Sequence, residues 1–240
     1  MKTKRSILFK GLKDGLPIGL GYLSVSFAFG IFAVGQGLLP AEVLLMSMTN
    51  LTSAGQFSAV PIIAGGGSFI ELAFLQLVIN LRYALMSVSL SQKLENGVRV
   101  PQRLLISFGV TDEVFGVAIS QPDRLPARYF YGLITLPYVG WSVGTLVGAL
   151  AGNILPPLLM SALGVAIYGM FIAIVLPVVK KSTATMLCVL LALGIRCVFY
   201  YLPALQNVPD GFAIIVSAAA ASALFAYRDA RIAKREGAER

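Results

Sequence analysis

Residues 107–119 read SFGVTDEVFGVAI, an apolar run interrupted at its centre by the adjacent carboxylates Asp112 and Glu113. The large apolar residues between Leu104 and Ile119 favour membrane insertion by about 3 to 5 kcal/mol in sum, whereas the two acids, if ionised near mid-membrane, oppose it by about 5 to 7 kcal/mol. The segment is therefore not stable alone in lipid. It must be enclosed by other helices, open to water, or hold its carboxylates protonated or paired. Neighbouring helical positions point about 100° apart, so one acid can face a cavity while the other meets a different helix, an arrangement suited to proton exchange. A second reading stays open, in which 104–120 is a short amphipathic hairpin on the cytoplasmic side with Asp112 near a turn.

The rest of the chain supplies the enclosing helices. Its 240 residues are 57% hydrophobic and 12% charged, with mean hydropathy +0.82, which describes a polytopic membrane protein. The net charge of +8 comes from residues at the two ends and in short connections, where they act as topology signals; nucleic-acid binding is excluded. Histidine is absent, which removes the usual zinc ligand and the general base of most hydrolases, so no metal or catalytic site is expected. Cys188 and Cys197 share one helical segment about 13 to 14 Å apart, too far for a disulfide within it. The run from Leu16 to Leu39 is too long for a secretory signal and is predicted to be a retained first span.

Apolar stretches fall near 16–39, 41–64, 68–91, 128–151, 157–179, 183–203 and 209–227, with a shorter one at 104–120. The predicted fold is all-α: a single transmembrane bundle over 1–240 of about eight helical segments, with short basic tails at 1–14 and 228–240. The basic residues at both ends place both termini in the cytoplasm. The basic loop 92–103 would then lie outside if every segment crossed; the conflict vanishes if 41–64 and 104–120 are broken or re-entrant and return to their own side. There is also a weak internal echo, with halves of about 15–120 and 128–227. Shifted by 114 positions, Gly55-x-Phe57 falls on Gly169-x-Phe171 and Asn80-Leu81-Arg82 on Gly194-Ile195-Arg196; shifted by 116, Pro40 meets Pro156 and Pro61 meets Pro177. Such repeats recur in secondary transporters, although Gly, Pro and Phe are frequent enough here for chance matches.

Candidate counter-charges for the acids are Arg82 and Arg196. In 69–91, Gln76, Asn80, Tyr83, Ser87 and Ser91 form one polar stripe while Glu71 and Arg82 share another face, so this helix is predicted to run through the protein interior. A guanidinium there can grip a substrate carboxylate or that of Asp112 or Glu113, or form a permanent ion pair with no transport role. Arg196, near Tyr200 and Tyr201, is expected to snorkel to the interface. The second segment sets Ser47, Thr49, Asn50, Thr52, Ser53 and Gln56 at its middle, with Gly55 and Pro61 beside them. Such a stretch unwinds readily, and freed helix ends hold small ligands; helix–helix packing is the alternative, favoured for Ser47 and Thr49.

At these residues the chain resembles the AzlC-type branched-chain amino acid exporter family. The resemblance rests on G-L-P-I-G-L-G-Y with F-A-F-G-I within 15–31, A-G-Q-F at 54–57, N-L-R-Y at 80–83 and T-D-E at 111–113; beyond about residue 125 it is mainly hydropathy. It implies a bacterial inner-membrane exporter of leucine, isoleucine and valine, with methionine or analogues as further candidates. It also implies coupling to protons, no cofactor, and a small AzlD-like hydrophobic subunit as partner. The expected mechanism is alternating access. Gly55 and Gln56, with Asn80 and Arg82, hold the charged ends of the amino acid; Asp112 or Glu113 carries the coupling proton; Phe27, Phe57 and Phe115 supply apolar walls. An intramembrane enzyme using Asp112 and a non-transporting scaffold are the alternatives.

Overall fold

The structure is a computed structural model that describes residues 4–152, 172, 176, 179, 180 and 182–238. The regular secondary structure of the described residues is helical, with no strand among them. The helices are α1 (Lys4–Gly35), α2 (Pro40–Thr49), α3 (Ser53–Ala64), α4 (Phe69–Ser91), α5 (Val100–Phe108), α6 (Asp112–Ile119), α7 (Ala127–Gly152), α8 (Thr183–Tyr201) and α9 (Asp210–Ala238), with a 3-10 turn at Pro203–Leu205. Five of them, α1, α4, α7, α8 and α9, are long and apolar enough to cross a membrane. The predicted segment 157–179 falls almost entirely outside the described residues, as do Pro156, Gly169, Phe171 and Pro177 of the internal echo.

Contacts divide the chain into two compact units, Met1–Ala64 with Ile79–Gly164, and Gly65–Val78 with Val165–Arg240. The first unit is built on α1 and α7. A Cβ added to Gly11 would strike the backbone of Tyr129 and Gly132, one on Gly19 that of Leu136, and one on Gly30 that of Thr145 and Gly148. Glycines therefore let the two backbones touch over most of their length, the usual means of close association where lipid supplies no hydrophobic drive. The matched positions rise together along both helices, so α1 and α7 run parallel. At their amino-terminal, basal end, Tyr129 donates to Asp14 at 2.7 Å and Lys10 donates to Gln121.

The stretch Ile79–Ser91 of α4 runs the other way. Arg82 lies level with Asp112, whose neighbour Glu113 meets Tyr22 halfway up α1, whereas Leu90 and Leu94 pack with Leu125, Tyr129 and Leu133 at the basal end. With α1 and α7 ascending and α4 descending, the short helices must return to the end they leave. α2 starts at the distal end, where Glu42 reaches back to the Leu39 N–H at 2.9 Å. It descends past Thr145, bonded to Ser47, and past Tyr138, whose hydroxyl donates to the Met48 carbonyl at 3.1 Å. After the break at 50–52, α3 climbs back from Gln56, bonded to Trp141, to Phe57, packed on Phe29 and Phe32. From the basal end α5 ascends until Phe108 meets Tyr138 and Gly109 lies against Ile134; after the break at 109–111, α6 descends to Gln121 at Lys10.

The chain thus forms two opposed re-entrant hairpins whose tips meet at mid-height of α1 and α7. Ten residues in α2 and nine in α5 rise about 15 and 13 Å, half of a hydrocarbon core about 30 Å thick. The apolar stretch 41–64, long enough in sequence to cross, is broken here, and so is 104–120. At the first break Thr49 donates to the Leu45 carbonyl at 2.7 Å, giving the last turn of α2 a side-chain partner, and Thr52 donates to the Asn50 side chain at 2.6 Å across the break. The hairpins echo each other in sequence too. Leu44-Leu45-Met46-Ser47 and Leu104-Leu105-Ile106-Ser107 stand sixty positions apart, and Gln102 caps Arg99 at 2.9 Å as Glu42 caps Leu39.

The second unit contains α8 and α9, an antiparallel pair closed by an ion pair of 2.5 Å between Arg196 and Asp210. The turn between α8 and α9 brings an acid to Arg196. Glu71, buried at the start of α4, accepts from the Gly211 N–H at 2.8 Å, where the first turn of α9 leaves donors unpaired. The expected tails are helical continuations, since α1 begins at Lys4 and α9 reaches Ala238.

Two predictions test this architecture. Gly148→Leu, which drives a side chain into the Phe27 backbone, is expected to cost at least the roughly 1 to 3 kcal/mol of ordinary overpacking, while Gly21→Ala, with open space around it, leaves thermal unfolding of the detergent-solubilised protein unchanged. With Cys188 and Cys197 replaced, single cysteines at Gln36 and Ala64 should react with an impermeant thiol reagent from one side of the membrane, and those at Glu95 and Asp123 from the other. Labelling of Gln36 and Ala64 from opposite sides would mean that α2 and α3 cross.

Candidate functional site

The carboxylates of the opening stretch occupy the first turn of α6. Thr111 precedes them in extended conformation and its hydroxyl accepts from the Val114 N–H at 3.3 Å, capping the helix. The positive end of the helix dipole favours acids at these two positions. Asp112 also meets Arg82 of α4 at 2.5 Å, and Arg82 in turn lies 4.8 Å from the centre of the Tyr83 ring and donates to its hydroxyl at 3.2 Å. Glu113 points elsewhere, accepting a hydrogen bond from the Tyr22 hydroxyl of α1. The two adjacent acids thus face different helices, as the 100° step requires.

The Arg82 and Asp112 side chains remain 46% and 47% exposed although they lie at mid-height of the first unit. Charges at that depth cannot face hydrocarbon without a cost of several kcal/mol each, so this face must border water or protein. Beside it, Gly21 of α1 and Gly116 of α6 have open space around them.

The packing behind the other hairpin tip is dry. Gln56 is fully buried: its Oε1 accepts from the Trp141 indole at 2.8 Å, and its Nε2 donates to Ser47 Oγ at 3.2 Å. Ser47 Oγ lies 2.8 Å from Thr145 Oγ1. Trp141 meets Tyr22 edge to face, with ring centres 5.3 Å apart. A continuous line of contacts therefore runs from Glu113 through Tyr22 and Trp141 to Gln56 and Ser47.

Of the residues singled out from the sequence, Arg82, Asp112 and Glu113 come together. Asn80 is partly buried two positions before Arg82, on a different face of α4. Gly55 and Gln56 lie in the first turn of α3, separated from Glu113 by Tyr22 and Trp141, and the Gln56 amide is bonded at both its oxygen and its nitrogen. Ser47 packs through its hydroxyl as expected. Phe57 is spent on packing against Phe29, while Phe27 and Phe115 are only partly buried. Trp141 and Thr145 escaped the reading of the sequence, and Tyr22 and Thr111 entered it only as letters of the quoted motifs, with no role given to them. One signal for Trp141 was present: it is the single tryptophan, in an apolar helix where its N–H needs a partner.

The AzlC protein family matches residues 17–155, which include every residue of this arrangement. An uncharacterized membrane protein of Archaeoglobus fulgidus is 33% identical over 180 residues, covering 74% of this chain and 78% of that protein. Inner membrane protein YgaZ of Escherichia coli is 30% identical over 191 residues, 77% of each. The branched-chain amino acid transport protein AzlC of Bacillus subtilis is 24% identical over 158 residues, 63% of this chain and 61% of that protein. No solved structure matches. A helical membrane bundle with broken helices, a family match over more than half of its length and relatives that are themselves membrane proteins lead to one conclusion: this chain belongs to the AzlC family.

Proposed function

We propose that the chain is the large subunit of a two-component, proton-coupled exporter of branched-chain amino acids in the bacterial inner membrane, with both termini in the cytoplasm and a small AzlD-like hydrophobic subunit as partner. The observation that carries this reading is the accessible Arg82–Asp112 pair beside Glu113, at the point where two re-entrant hairpins meet. The name of the similar Bacillus subtilis protein supports the cargo class.

The charges suit an amino acid zwitterion. Arg82 presents a planar fork to the cargo carboxylate, and Asp112, once released, receives the ammonium. One internal ion pair is exchanged for two external ones, so no charge is left unpaired at mid-depth. Asn80 adds a polar contact from α4, and the backbone around Gly55 and Gln56 closes the site when the α2–α3 tip moves. Glu113, facing Tyr22 rather than Arg82, is free to carry the proton. The α1–α7 pair, locked by backbone contact, is the fixed frame; the hairpins and α4 are the moving parts of an alternating-access cycle. Phe27 and Phe115 give aliphatic side chains an apolar wall. No step requires a cofactor or covalent chemistry, so the chain is read as a transporter and not an enzyme.

Asp112→Asn and Glu113→Gln are each expected to abolish proton-driven efflux of labelled leucine from loaded proteoliposomes holding both subunits, with assembly intact by size-exclusion chromatography; normal efflux by both variants would remove the coupling role. Apolar walls discriminate one methylene by only about 1 to 3 kcal/mol, so valine, isoleucine and leucine should compete with one another within about 200-fold. Competition assays that found a single accepted amino acid would contradict this.

A further inference from the structure

The path from Glu113 to the opposite hairpin assigns a role to residues that the transport reading leaves unused. Tyr22 of α1 stands between the tips: its hydroxyl donates to Glu113 at the tip of α5–α6, and its ring sits edge to face on Trp141. Trp141 holds Gln56 on α3 at 2.8 Å, Gln56 holds Ser47 on α2 at 3.2 Å, and Thr145 anchors Ser47 to α7. Both arms of the α2–α3 hairpin are therefore tied to one indole. Trp141 is 1% exposed, and Gln56, Ser47 and Thr145 are fully buried. Water cannot replace a bond broken there, so the network stays together or opens as a unit.

We propose that Tyr22 is a positioning residue that converts the charge on Glu113 into the state of the α2–α3 tip. An ionised Glu113 accepts only, so it fixes the Tyr22 hydroxyl as donor and presses the ring against Trp141, which keeps Gln56 and Ser47 latched. A protonated Glu113 carries its own donor, so its bond to Tyr22 loses its charge assistance and can reverse direction; the hold on the ring weakens, Trp141 loses lateral support and the latch opens. The latch rests on the assignment of Glu113 as the proton carrier. Among the described residues, the ionisable groups around Glu113 are Asp112 on its own helix, Arg82 and Tyr83 on α4, and Tyr22. Tyr22 is the one that reaches Trp141.

The test uses the assembled two-subunit protein in nanodiscs and proteoliposomes. Trp141 is the only tryptophan of this chain, so with a tryptophan-free partner subunit its emission reports the latch directly. The wild type should show an emission change with pH that is lost in Glu113→Gln. Tyr22→Phe keeps the ring and removes only the hydroxyl; it should lose the same pH transition with Glu113 still present, and lose proton-driven leucine efflux with it. A size-exclusion profile and thermal transition like the wild type's exclude misfolding as the cause. A Tyr22→Phe protein that retains the wild-type emission transition overturns the latch, whatever its transport activity. If the wild type carries no leucine yet its Trp141 emission titrates through Tyr22 and Glu113, the latch stands and the cargo assignment falls.

Discussion

The backbone contact between α1 and α7 is the constraint on which the rest depends. Lipid tails are as apolar as leucine, so helices inside a membrane gain nothing from hydrophobic burial against each other and associate through close packing and polar bonds. Glycines at positions such as 11, 19, 30, 132, 140 and 148 bring two parallel helices into direct backbone contact. That contact fixes their register and gives both hairpins one frame. Ser47 bonds to Thr145, Gln56 to Trp141 and Phe108 packs on Tyr138, all on α7. Without a rigid pair, two half-helices entering from opposite ends would have nothing against which to align their tips.

The meeting of the tips creates the unusual electrostatics. α3 and α6 both begin at mid-height, so two helix amino-terminal ends, each with unpaired N–H groups and partial positive charge, converge where α2 and α5 bring carboxyl-terminal ends. Both signs are on offer there, which is why the cargo proposed for it is a zwitterion. The two tips differ in a way that divides the labour. The α5–α6 tip carries exposed ionisable side chains, whereas behind the α2–α3 tip the side chains of Gln56 and Ser47 are buried and held by neutral hydrogen bonds. In the proposed cycle, charge change belongs to one and mechanical closure to the other, with Tyr22 and Trp141 between them.

Several elements were legible without coordinates because their physics is local. An acid pair in an apolar run has few tolerable environments, and that alone called for shielding from lipid and for Arg82 or Arg196 as a partner, of which Arg82 is the one found at Asp112. The breaks at 50–52 and 109–111 were foreshadowed by residues that compete with the helical ladder and by the basic loop at 92–103, which conflicts with a full crossing. Other parts were not legible. Tyr22 and Thr145 look like ordinary members of apolar helices, and Gln56 looked exposed to a cargo because its neighbours favour unwinding. Its burial depends on an indole that lies 85 positions further along the chain. Arg196 found Asp210 because a turn returned the chain, which no periodicity announces.

From its own pattern, then, the amino-acid order determined a polytopic helical membrane protein of the AzlC type, with a carboxylate pair kept from bare lipid and helices that stop short. Those properties follow from transfer energies and backbone preferences summed over a few adjacent residues. Tertiary structure decided that both short segments turn back, that their tips oppose each other, that Glu113 faces Tyr22 while Asp112 faces Arg82, and that Gln56 is latched rather than free. These are choices among packings of similar local energy. They are settled by which helix faces can approach within bonding distance, and that becomes known only when α1, α4 and α7 are in place.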